Sequence, residues 1–512
     1  MGRKSSLTSL VDALAEAGMA ASASAATVIT GLSCDSRSLD PGDLFVALAG
    51  TRTDGSGFIE QALAAGAAAV LCSDSAAAAL DVDIPAIAVG DVHKACGVVA
   101  SAFYGQPSKR MTMLAVTGTN GKSTTACILE SILSAAGQSP GLIGTVSTRC
   151  AAFERPSPMT TPAAVDLHAI LDEMQQAGCR AVAMEVSSHA LSQSRVAGCS
   201  FDAAVFTNLS RDHLDYHGDQ ESYFAAKASL FSDYLAVGGV AIINNDDPRA
   251  DDLKDHCRGR DLWTYSTEPG GEGRARVLAA SCSMRGTRAR LELDGRGLDI
   301  ETSLLGRTNL ANILAAATTA CAIGIEDTAI ARGIGACVGV PGRMEVVSAR
   351  GPLVVVDYAH TPDALACSLE SLRELNPAGR VIVVFGCGGD RDRGKRMQMG
   401  SVVAGLADVA VVTSDNPRGE EPADIIAAIE TGMVAMDKVD MDAALEIFGS
   451  GRSGGYTLEP DRRSAIALAL EIAAVGDLVL VAGKGHEDYQ EVGGLRIPFN
   501  ERDLCRRLAE AG

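Results

Sequence analysis

Aromatic side chains are scarce in this chain of 512 residues. Phe, Trp and Tyr together make up 4% of the sequence, and Trp263 is the single tryptophan. Hydrophobic residues still reach 47%, so the shortage excludes aromatic-rich cores but not core formation itself. We expect cores of Ala, Val, Leu and Ile, divided among about three domains at this length.

Basic residues are also in deficit. Lys and Arg number 44 against 64 Asp and Glu, which gives a formal net charge of −20. A general nucleic-acid-binding protein relies on basic surface to neutralise phosphates, so the charge balance argues against that class. An anionic small substrate is not excluded, because it needs only local Arg, Lys and helix N-termini. Solubility alone accounts for most of the surface acids.

Patterns typical of disulfide frameworks, cysteine zinc sites and membrane spans are absent from the sequence. The 14 cysteines include no C-x-x-C pair, which favours reduced thiols in a cytosolic protein. No apolar stretch approaches the ~20 residues that span a bilayer, and Asp12 and Glu16 interrupt any signal-peptide core. The sequence therefore predicts a cytoplasmic protein that is not inserted in a membrane.

The most informative stretch is a glycine loop between a predicted strand and a predicted helix. The strand covers residues 113–116, the loop reads Thr-Gly-Thr-Asn-Gly-Lys-Ser over 117–123, and the helix is predicted from Thr125. Glycines let backbone N–H groups approach phosphate oxygens, and a helix N-terminus adds positive partial charge. Lys122 would reach the β and γ phosphates of a nucleotide, and Ser123 would hold Mg²⁺.

This loop departs from the general nucleotide-binding pattern at one position. The pattern G-x-x-x-x-G-K-[ST] requires glycine at position 116, where this chain has Val116. A glycine turn without a phosphate role is therefore the alternative, although Gly-Lys-Ser at a strand–helix junction favours nucleotide binding.

Several predicted strands end in residues that can carry chemistry. The polar segments cover residues 185–189, 207–217, 244–247, 357–362, 386–396, 413–418 and 482–487. Alternation of these strands with helices implies mostly parallel sheets, whose ligands bind beyond the carboxyl ends of the strands. We therefore expect these segments to lie around one site.

The same patterns predict an α/β chain of three domains. Residues 1–107 form a small N-terminal α/β domain with no nucleotide loop of its own. Residues 108–341 form a central P-loop ATPase-type domain with a mostly parallel sheet, and residues 342–512 form a doubly wound, Rossmann-like domain.

Residue chemistry alone leaves alternatives open. Glu185 and His213 could hold Mg²⁺ against ATP phosphates, whereas His213 and His217 have the i, i+4 spacing that suits zinc on a helix. The run containing Ser187 suggests a serine hydrolase, but no G-x-S-x-G elbow is present.

Two further residues are ambiguous by pattern. Lys227 lies in an amphipathic helix and is predicted to be a surface lysine whose stem covers apolar residues. Asn309, near the start of another predicted helix, fits either an N-cap or a ligand for a base edge.

Taken jointly and in order, these motifs resemble the Mur ligase family. The matching segments are residues 35–37, 117–123, 185–189, 207–217, 342–345, 357–365, 386–396, 415–418 and 483–487. The resemblance implies an ATP-dependent ligase that joins meso-diaminopimelate to UDP-N-acetylmuramoyl-L-alanyl-D-glutamate through an acyl phosphate. It also implies two Mg²⁺ ions and a monomeric enzyme of peptidoglycan precursor synthesis.

The resemblance assigns roles residue by residue. The catalytic residues would be Lys122, Glu185, His213 and Lys227, with Lys227 carbamylated (N6-carboxylysine) and serving, with Ser123, Glu185 and His213, as a magnesium ligand. ATP would contact Gly118, Thr119, Asn120, Gly121, Lys122, Ser123, Thr124, Asn309, Arg343 and Asp357. The UDP-muramoyl-dipeptide would contact Ser36, Thr160, Thr161, Ser187, Gln193 and Arg195. Diaminopimelate would contact Arg391, Asp415, Asn416, Pro417, Arg418, Gly483 and Glu487.

Three alternatives accompany this interpretation. A lysine-adding ligase of the same family shares the motifs, and a folylpolyglutamate synthase-like ligase would not need an N-terminal unit of about a hundred residues. A non-catalytic nucleotide-binding module is the alternative from another class. Two departures from relatives are visible: Met159 stands where some have Asn, and residues 51–53 replace a variable segment.

Overall fold

The computed structural model describes residues 3–21, 27–50, 53–80, 84–349 and 351–511. Thr51 and Arg52, of the variable segment noted above, lie outside them. In this described part, three main sheets of 4, 11 and 7 strands follow one another along the chain. The same part contains no helix whose length and apolar content would let it cross a membrane.

The first sheet is small and parallel, with strand order β3-β4-β5-β6. Leu7, Leu10 and Leu14 on one face of α1 are fully buried against it. The elements are β1 (Ser5–Ser6), α1 (Leu7–Glu16), β2 (Val28–Ile29), β3 (Leu32–Ser33), β4 (Leu44–Val46), α2 (Ile59–Ala64), β5 (Ala69–Ser73), α3 (Asp74–Ala78), β6 (Ala86–Val89) and α4 (Val92–Phe103).

The second sheet has the order β10-β9-β8-β11-β7-β12-β13-β14-β15-β16-β17 and is parallel from β8 to β15. Its elements begin with β7 (Thr112–Thr117), α5 (Lys122–Ala135), β8 (Pro140–Ile143), β9 (Ser147–Cys150), β10 (Phe153–Pro156), α6 (Ala164–Gln176), β11 (Ala181–Glu185), α7 (Ser188–Ser192), β12 (Phe201–Phe206) and α8 (Leu214–His217). They continue with α9 (Gln220–Ser229), β13 (Leu235–Asn244), α10 (Ala250–His256), β14 (Asp261–Ser266), β15 (Ala275–Ser283), β16 (Gly286–Leu293), β17 (Arg296–Thr302), α11 (Gly306–Ala322) and α12 (Asp327–Ala336).

The third sheet has the order β18-β19-β24-β20-β21-β23-β22, and only its edge strand β18 is antiparallel among the described strands. The elements of this part of the chain are β18 (Glu345–Ser348), β19 (Leu353–Asp357), α13 (Pro362–Leu375), β20 (Val381–Phe385), α14 (Gly394–Leu406), β21 (Val409–Val412), α15 (Pro422–Glu430), β22 (Asp437–Lys438), α16 (Met441–Gly449), β23 (Gly455–Leu458), α17 (Arg462–Ile472), β24 (Leu478–Ala482), β25 (Tyr489–Val492), β26 (Leu495–Pro498) and α18 (Glu501–Ala511). Strands β25 and β26 form a separate antiparallel hairpin.

Helices cover both faces of this third sheet. In β19, Leu353 and Val355 pack into one core cluster while Val354 and Val356 pack into another. Alternate residues of a strand point to opposite faces, so a continuous apolar run indicates burial on both sides. The predicted doubly wound arrangement is therefore present, and both cores consist mostly of Val, Leu, Ile and Ala.

Two sequence predictions about helix starts need correction. Helix α5 begins at Lys122 and not at Thr125, because Gly121 with φ +85° is already the N-cap. Helix α11 begins at Gly306 with Leu305 as N-cap, so Asn309 lies inside its first turn and is not a cap. In the first unit, a 3₁₀ turn (Gly55–Phe58) leads directly into α2.

Candidate active site

The glycine loop forms a tight turn between β7 and α5. Gly118 and Gly121 have φ values of +148° and +85°, and a Cβ on either would overlap Thr207 Oγ1 or Asn312 Oδ1 respectively. Only glycine fits both the backbone angle and the space. The turn places Lys122, Ser123 and the buried Thr124 in the first turn of α5, where helix N–H groups favour an anion.

Residues that follow β12 brace this loop from the side. Asn120 N donates to Asn208 Oδ1 at 2.9 Å, and Thr207 Oγ1 donates to Asn120 O at 2.6 Å. Thr119 Oγ1 accepts from Ser210 N at 3.0 Å. Lys122 Nζ donates to the loop's own carbonyls at Gly118 (2.9 Å) and Thr119 (2.8 Å), so the lysine lies directly over the loop.

Ser123 and Glu185 form the oxygen-rich part of the site. Ser123 Oγ donates to Glu185 Oε2 at 2.8 Å, and Thr145 donates to the same carboxylate through its backbone N (2.7 Å) and Oγ1 (3.0 Å). Hydroxyl and carboxylate oxygens are ligands that Mg²⁺ accepts, usually completed by phosphate and water. This donor set fits a magnesium ion beside the loop. No cluster of three or more His, Cys, Asp or Glu suited to a metal occurs in the described ranges.

His213 lies in an aromatic cluster at the end of β12. Its ring packs edge-to-face on His189 with 4.7 Å between centroids, and Asp212 Oδ2 is 3.5 Å from His213 Nε2. Burial lowers the pKa of His213, and the charges of Lys122 and Lys227 lower it further against the effect of Asp212. His217 belongs to the same cluster and contacts Ser188 Oγ at 3.0 Å.

Lys227 is not a surface residue, so the pattern-based prediction for it is wrong. The side chain is 1% exposed, and Nζ donates to Gly118 O at 2.8 Å while lying 4.5 Å from the centre of the Tyr223 ring. Burial lowers the pKa of Lys227 well below its usual value, and Lys122 lowers it further. Asp219 caps the N-terminus of α9, and Lys227 lies on the buried face of this helix. That face is directed toward the phosphate loop.

Five of the six residues predicted for the UDP-muramoyl-dipeptide lie together beside Glu185. Thr161 Oγ1 donates to Glu185 O and accepts from Ser187 N, and Thr160 Oγ1 lies within hydrogen-bond distance of Thr145 Oγ1, at 3.1 Å. Arg195 Nη1 donates to Thr161 O at 2.9 Å, and its Nε donates to Gln193 Oε1 at 2.9 Å. Arg195 also contacts Met159 Sδ at 3.4 Å.

Ser36, the sixth, lies in the first unit after β3. Its hydroxyl donates to Gln61 Oε1 at 3.1 Å, and the side chain is buried. No described contact joins Ser36 to the group around Glu185. The structure therefore brings five of these residues together and leaves Ser36 apart from them.

Two of the three residues outside the 118–124 segment that were predicted to contact ATP have internal partners for their polar groups. Asn309 Nδ2 donates to Leu305 O at 2.9 Å. Asp357 accepts from Met344 N at 3.0 Å and from Ser368 Oγ at 2.6 Å. The Arg343 guanidinium stacks over the Tyr358 ring at 4.4 Å, and its buried Nε has no hydrogen-bond partner.

The residues predicted for diaminopimelate converge from three strand ends of the third sheet. Asn416 Nδ2 donates to Glu487 Oε2 at 2.8 Å, while Lys484 Nζ donates to Asn416 Oδ1 and Glu487 Oε2, both at 2.9 Å. Asp415 Oδ1 is 3.9 Å from Lys484 Nζ. Burial opposes ionisation of Glu487, yet Lys484 and Asn416 bring its pKa below the usual value.

Arg418 pairs with a residue that its sequence neighbourhood does not predict. Its Nε lies 3.2 Å from Glu491 Oε2, and Nη1 donates to Gly389 O at 2.8 Å. Glu420 instead pairs with Arg396. The β25–β26 hairpin brings Glu491 here, because Arg418 N donates to Glu491 O at 2.9 Å.

A cavity of about 710 Å³ lies between the second and third sheets, at the ends of their strands. From the second unit it is lined by His189, Asp212 and His213, and from the third by a larger set: His360, Arg391, Lys395, Asp415, Asn416, Arg418, Gly483 and Glu487. Pro417 lies in the Asn416–Arg418 turn beside it. Such a cleft at strand ends is where α/β proteins bind ligands.

Several residues of this site have contacts that their sequence patterns do not predict individually. Thr145 and Asn208 orient Glu185 and the phosphate loop, and Lys484 joins Asn416 to Glu487. Lys484 and Asn208 lie within segments that match family motifs, and this membership is the sequence feature that indicates a role for them. Thr145 lies outside every such motif, and only its position in space shows its contacts.

Three family profiles match the chain in succession. They are the Mur ligase family, catalytic domain (residues 28–104), the Mur ligase middle domain (116–320) and the Mur ligase, glutamate ligase domain (342–485). The UDP-N-acetylmuramoyl-L-alanyl-D-glutamate–2,6-diaminopimelate ligase of Gloeobacter violaceus is 46% identical over 486 residues, which is 93% of each chain. The chain belongs to the Mur ligase family.

Solved structures agree with this membership. A structure of a UDP-N-acetylmuramoyl-L-alanyl-D-glutamate–2,6-diaminopimelate ligase matches this Mur ligase with a TM-score of 0.67 at 34% identity, covering 94% of this chain and 95% of that one. Mycobacterium tuberculosis folylpolyglutamate synthase, complexed with ADP and AMPPCP, matches with a TM-score of 0.61 at 17% identity over 76% and 92% of the two chains, which shows a shared fold alone.

Family membership confirms two sequence predictions. The family and the α/β fold class with large, mostly parallel sheets are both as the motifs indicated. As a Mur ligase, the protein is an ATP-dependent enzyme that joins an acid to an amino group.

Proposed function

We propose that this Mur ligase adds meso-diaminopimelate to UDP-N-acetylmuramoyl-L-alanyl-D-glutamate, using ATP, as a cytoplasmic and monomeric enzyme of peptidoglycan precursor synthesis. The observation that carries the proposal is the match, over 93% of both chains, to a relative named for this reaction. The folylpolyglutamate synthase that matches this chain is only 17% identical to it, against 46% for that relative.

The division of labour follows the three sheets. We assign residues 1–107 to the nucleotide end of the muramoyl substrate, residues 108–341 to ATP, and residues 342–512 to the amino acid. Support comes from the buried Ser36 in the first unit, the glycine loop in the second, and the Asn416–Lys484–Glu487 network in the third.

Binding of the nucleotide rests on the loop of residues 118–124. Its glycines and the N-terminus of α5 present backbone N–H groups to phosphate, and Lys122 adds a cation that can turn from the carbonyls of Gly118 and Thr119 toward the γ phosphate. We assign Asn309, Arg343 and Asp357 to the adenine and ribose of the nucleotide. The orphan Nε of Arg343 is a donor that a nucleotide oxygen would satisfy.

Magnesium fits the donors around Glu185. Ser123, Glu185 and His213 would hold one ion, and a carbamate on Lys227 would supply oxygen to a second. When bound, Mg²⁺ neutralises charge on the transferring phosphoryl group. Burial lowers the pKa of Lys227 and so favours the neutral amine, which is the form that reacts with CO₂.

The reaction then needs positioning more than covalent help. The side-chain carboxylate of the D-glutamyl residue attacks the γ phosphorus of ATP, giving an acyl phosphate and ADP. The free amine of diaminopimelate attacks the acyl carbon, and the tetrahedral intermediate expels phosphate to leave the amide. Thr160, Thr161, Ser187, Gln193 and Arg195, grouped beside Glu185, would hold the muramoyl-dipeptide for the first step.

The second step places the amine inside the cavity between the second and third sheets. Asp415, Asn416, Gly483 and Glu487 offer acceptors and donors for one amino-acid end, and Arg391 and Arg418 offer cations for carboxylates. Enclosure between the two sheets would keep water from hydrolysing the acyl phosphate.

A substrate panel tests the proposal. Phosphate release from ATP is measured with UDP-N-acetylmuramoyl-L-alanyl-D-glutamate and, in turn, meso-diaminopimelate, lysine, ornithine or no amino acid. We expect release that requires both the muramoyl-dipeptide and diaminopimelate. Equal turnover with lysine would identify the lysine-adding alternative, and nucleotide binding without turnover would identify a non-catalytic module.

A further inference from the structure

A fully buried ion pair lies beneath the loops assigned to the amino acid. Arg462, at the start of α17, and Glu501, at the start of α18, have side chains that are 0% exposed. Glu501 Oε2 accepts from Arg462 Nε at 2.9 Å and from Nη2 at 2.8 Å. The pair therefore joins two helices inside the third unit.

Polar atoms of this pair also contact the backbone of two strand-end loops. Arg462 Nη2 donates to Ala482 O at 2.8 Å, and Nη1 donates to Ser414 O at 3.4 Å. Glu501 Oε1 accepts from Gly485 N at 3.1 Å. Ser414 and Ala482 immediately precede Asp415 and Gly483, so the contacts lie at the base of both loops.

Direct contacts link the two loops above the ion pair. Lys484, which is fully buried, joins Asn416 Oδ1 of one loop to Glu487 Oε2 of the other. The two loops therefore meet at Lys484 above and at the Arg462–Glu501 pair below. Displacement of Ser414 O or Gly485 N would shift Asn416 and Glu487 relative to each other.

Energetics indicate what this pair contributes. Burying an ion pair costs desolvation that its mutual attraction often fails to repay, and apolar residues of similar volume can replace such a pair without loss of stability. Holding α17 to α18 therefore does not require charge. Directed hydrogen bonds to three backbone groups of the two loops do require a guanidinium and a carboxylate.

We propose that Arg462 and Glu501 are positioning residues that hold the 414–418 and 482–487 loops in the register needed to bind the amino-acid substrate. The proposal rests on the assignment of these loops to diaminopimelate. Neither residue lines the cavity, so both act through the loops and not by touching the substrate.

The third sheet offers a matched control at its opposite end. Arg380 directly precedes β20, Asp477 directly precedes β24, and both side chains are largely buried. The distance from Arg380 Nη2 to Asp477 Oδ2 is 2.6 Å. Arg380 also donates to backbone carbonyls, at Phe448 (2.7 Å) and Ile472 (2.9 Å). This second pair shares the chemistry of the first but lies at the strand ends remote from the cavity.

The test compares the double variants Arg462→Leu/Glu501→Leu and Arg380→Leu/Asp477→Leu. KM for meso-diaminopimelate, ATP and the UDP-muramoyl-dipeptide, kcat and Tm are measured for each. We expect KM for diaminopimelate to rise at least ~10-fold in the first variant only, with the other two KM values within about twofold. An equal rise in the control, or no rise in the first variant, would overturn the positioning role.

Two single variants keep the test decisive if the first double variant does not fold. Glu501→Gln preserves volume and an acceptor for Gly485 N, and Arg462→Lys preserves charge but not the fork. Each should raise KM for diaminopimelate by a smaller factor without raising KM for ATP, and unchanged values in both would refute the proposal. A wild-type enzyme that does not use diaminopimelate would instead refute the proposed function.

Discussion

At the scale of single residues, the site depends on charged side chains whose environment is set by distant parts of the chain. Lys227 is buried against the phosphate loop, 109 residues away in sequence, and Arg418 pairs with Glu491, 73 residues away. Neither partner is visible in the local sequence. Each gives a prediction that separates a functional role from a structural one.

Replacing Lys227 with Ala should lower turnover at least ~100-fold, because a charge-stabilising group next to the transferred phosphate is removed. Acetate or formate should restore part of the activity by supplying the missing carboxylate oxygens. Steady-state phosphate release, with and without these acids, provides the measurement. Lys254→Ala, which removes a surface lysine paired with Asp251, is the control, and a fully active Lys227→Ala enzyme would contradict the assignment.

Replacing Arg418 with Ala should weaken apparent affinity for diaminopimelate at least ~30-fold, because losing a charge-assisted pair costs ~2–5 kcal/mol. Apparent affinity for ATP should hold. Arg418→Lys should not fully rescue binding, since an ammonium lacks the fork that grips a carboxylate. A substrate carboxylate would compete with Glu491 for this guanidinium.

The control for Arg418 is Arg393→Ala. Arg393 is a nearby exposed arginine that pairs with Glu420 at 3.2 Å. Kinetics as a function of diaminopimelate concentration should be unaltered in that variant. If Arg418→Ala behaves like Arg393→Ala, selectivity for diaminopimelate resides elsewhere.

His168 gives a prediction about pH. It is 0% exposed, its Nε2 contacts Ala197 O at 2.9 Å, and burial lowers its pKa from 6.5 to about 4. The unfolded chain therefore binds the proton at a higher pH than the folded chain. The contribution of His168 to the free energy of unfolding is therefore fully present above pH ~6.5 and is lost as pH falls toward ~4.

We expect His168 to lower the free energy of unfolding by about 2 kcal/mol as the pH falls from 7 to 5, because the unfolded chain takes up the proton first. His168→Gln should remove this part of the pH dependence. Urea unfolding at both pH values measures it, with the exposed His256→Gln as control. An unchanged pH dependence in His168→Gln would show that acid sensitivity arises from other groups.

At the scale of elements, the N-terminus of α5 combines backbone strain with close packing. Gly121 has φ +85° and faces Asn312 of α11, whereas Gly137, just past the other end of α5, has φ +73° and open space around it. The two glycines share the left-handed conformation but differ in what surrounds them. A comparison of alanine variants at the two positions therefore separates the effect of packing around the phosphate loop from the effect of the backbone angle.

Gly121→Ala should raise KM for ATP at least ~10-fold, because its methyl group would displace Asn312 or the loop itself. Gly137→Ala should cost about 1 kcal/mol of stability for the same backbone reason but leave KM for ATP unchanged. Nucleotide titration and thermal unfolding of both variants measure the two effects. Equal effects on ATP binding would show that backbone angle alone, and not packing on α11, determines the loop.

At the scale of the whole molecule, residues 337–344 connect the second unit to the third and contact functional parts of both. Cys127 Sγ of α5 lies 3.7 Å from Gly339 O, and Arg343 stacks on Tyr358. Gly342, with φ +68°, approaches the 482–487 loop so closely that a Cβ would overlap Gly485 and His486 backbone atoms. The connection therefore adjoins both the phosphate-loop helix and the amino-acid loops.

Gly342→Ala should push the connection away from the 482–487 loop, raising KM for diaminopimelate several-fold and lowering Tm. Gly351→Ala is the control, because Gly351 also has a positive φ, +87°, but a Cβ there would have no other atom within 4 Å. Thermal unfolding and amino-acid kinetics of the pair provide the comparison. Identical behaviour of the two variants would mean that the close approach at Gly342 has no functional consequence.

Local sequence was sufficient for features whose causes are local. The glycine loop, the buried strands and the polar strand ends could be predicted because glycine tolerance, apolar runs and strand–helix alternation act over a few residues. The family and the fold class followed from the same motifs in order. Helix starts were less accurate, since Gly121 and Leu305 end up as caps through their backbone angles.

Tertiary structure decided what depends on partners far apart in the chain. An amphipathic pattern could not show that Lys227 faces Gly118 O, or that Glu491 and not Glu420 pairs with Arg418. Nor could it show that Arg462 and Glu501 meet beneath two loops. Sequence determines which groups are available at each strand end, whereas packing of strands, hairpin and helices determines which groups meet and which charges are desolvated.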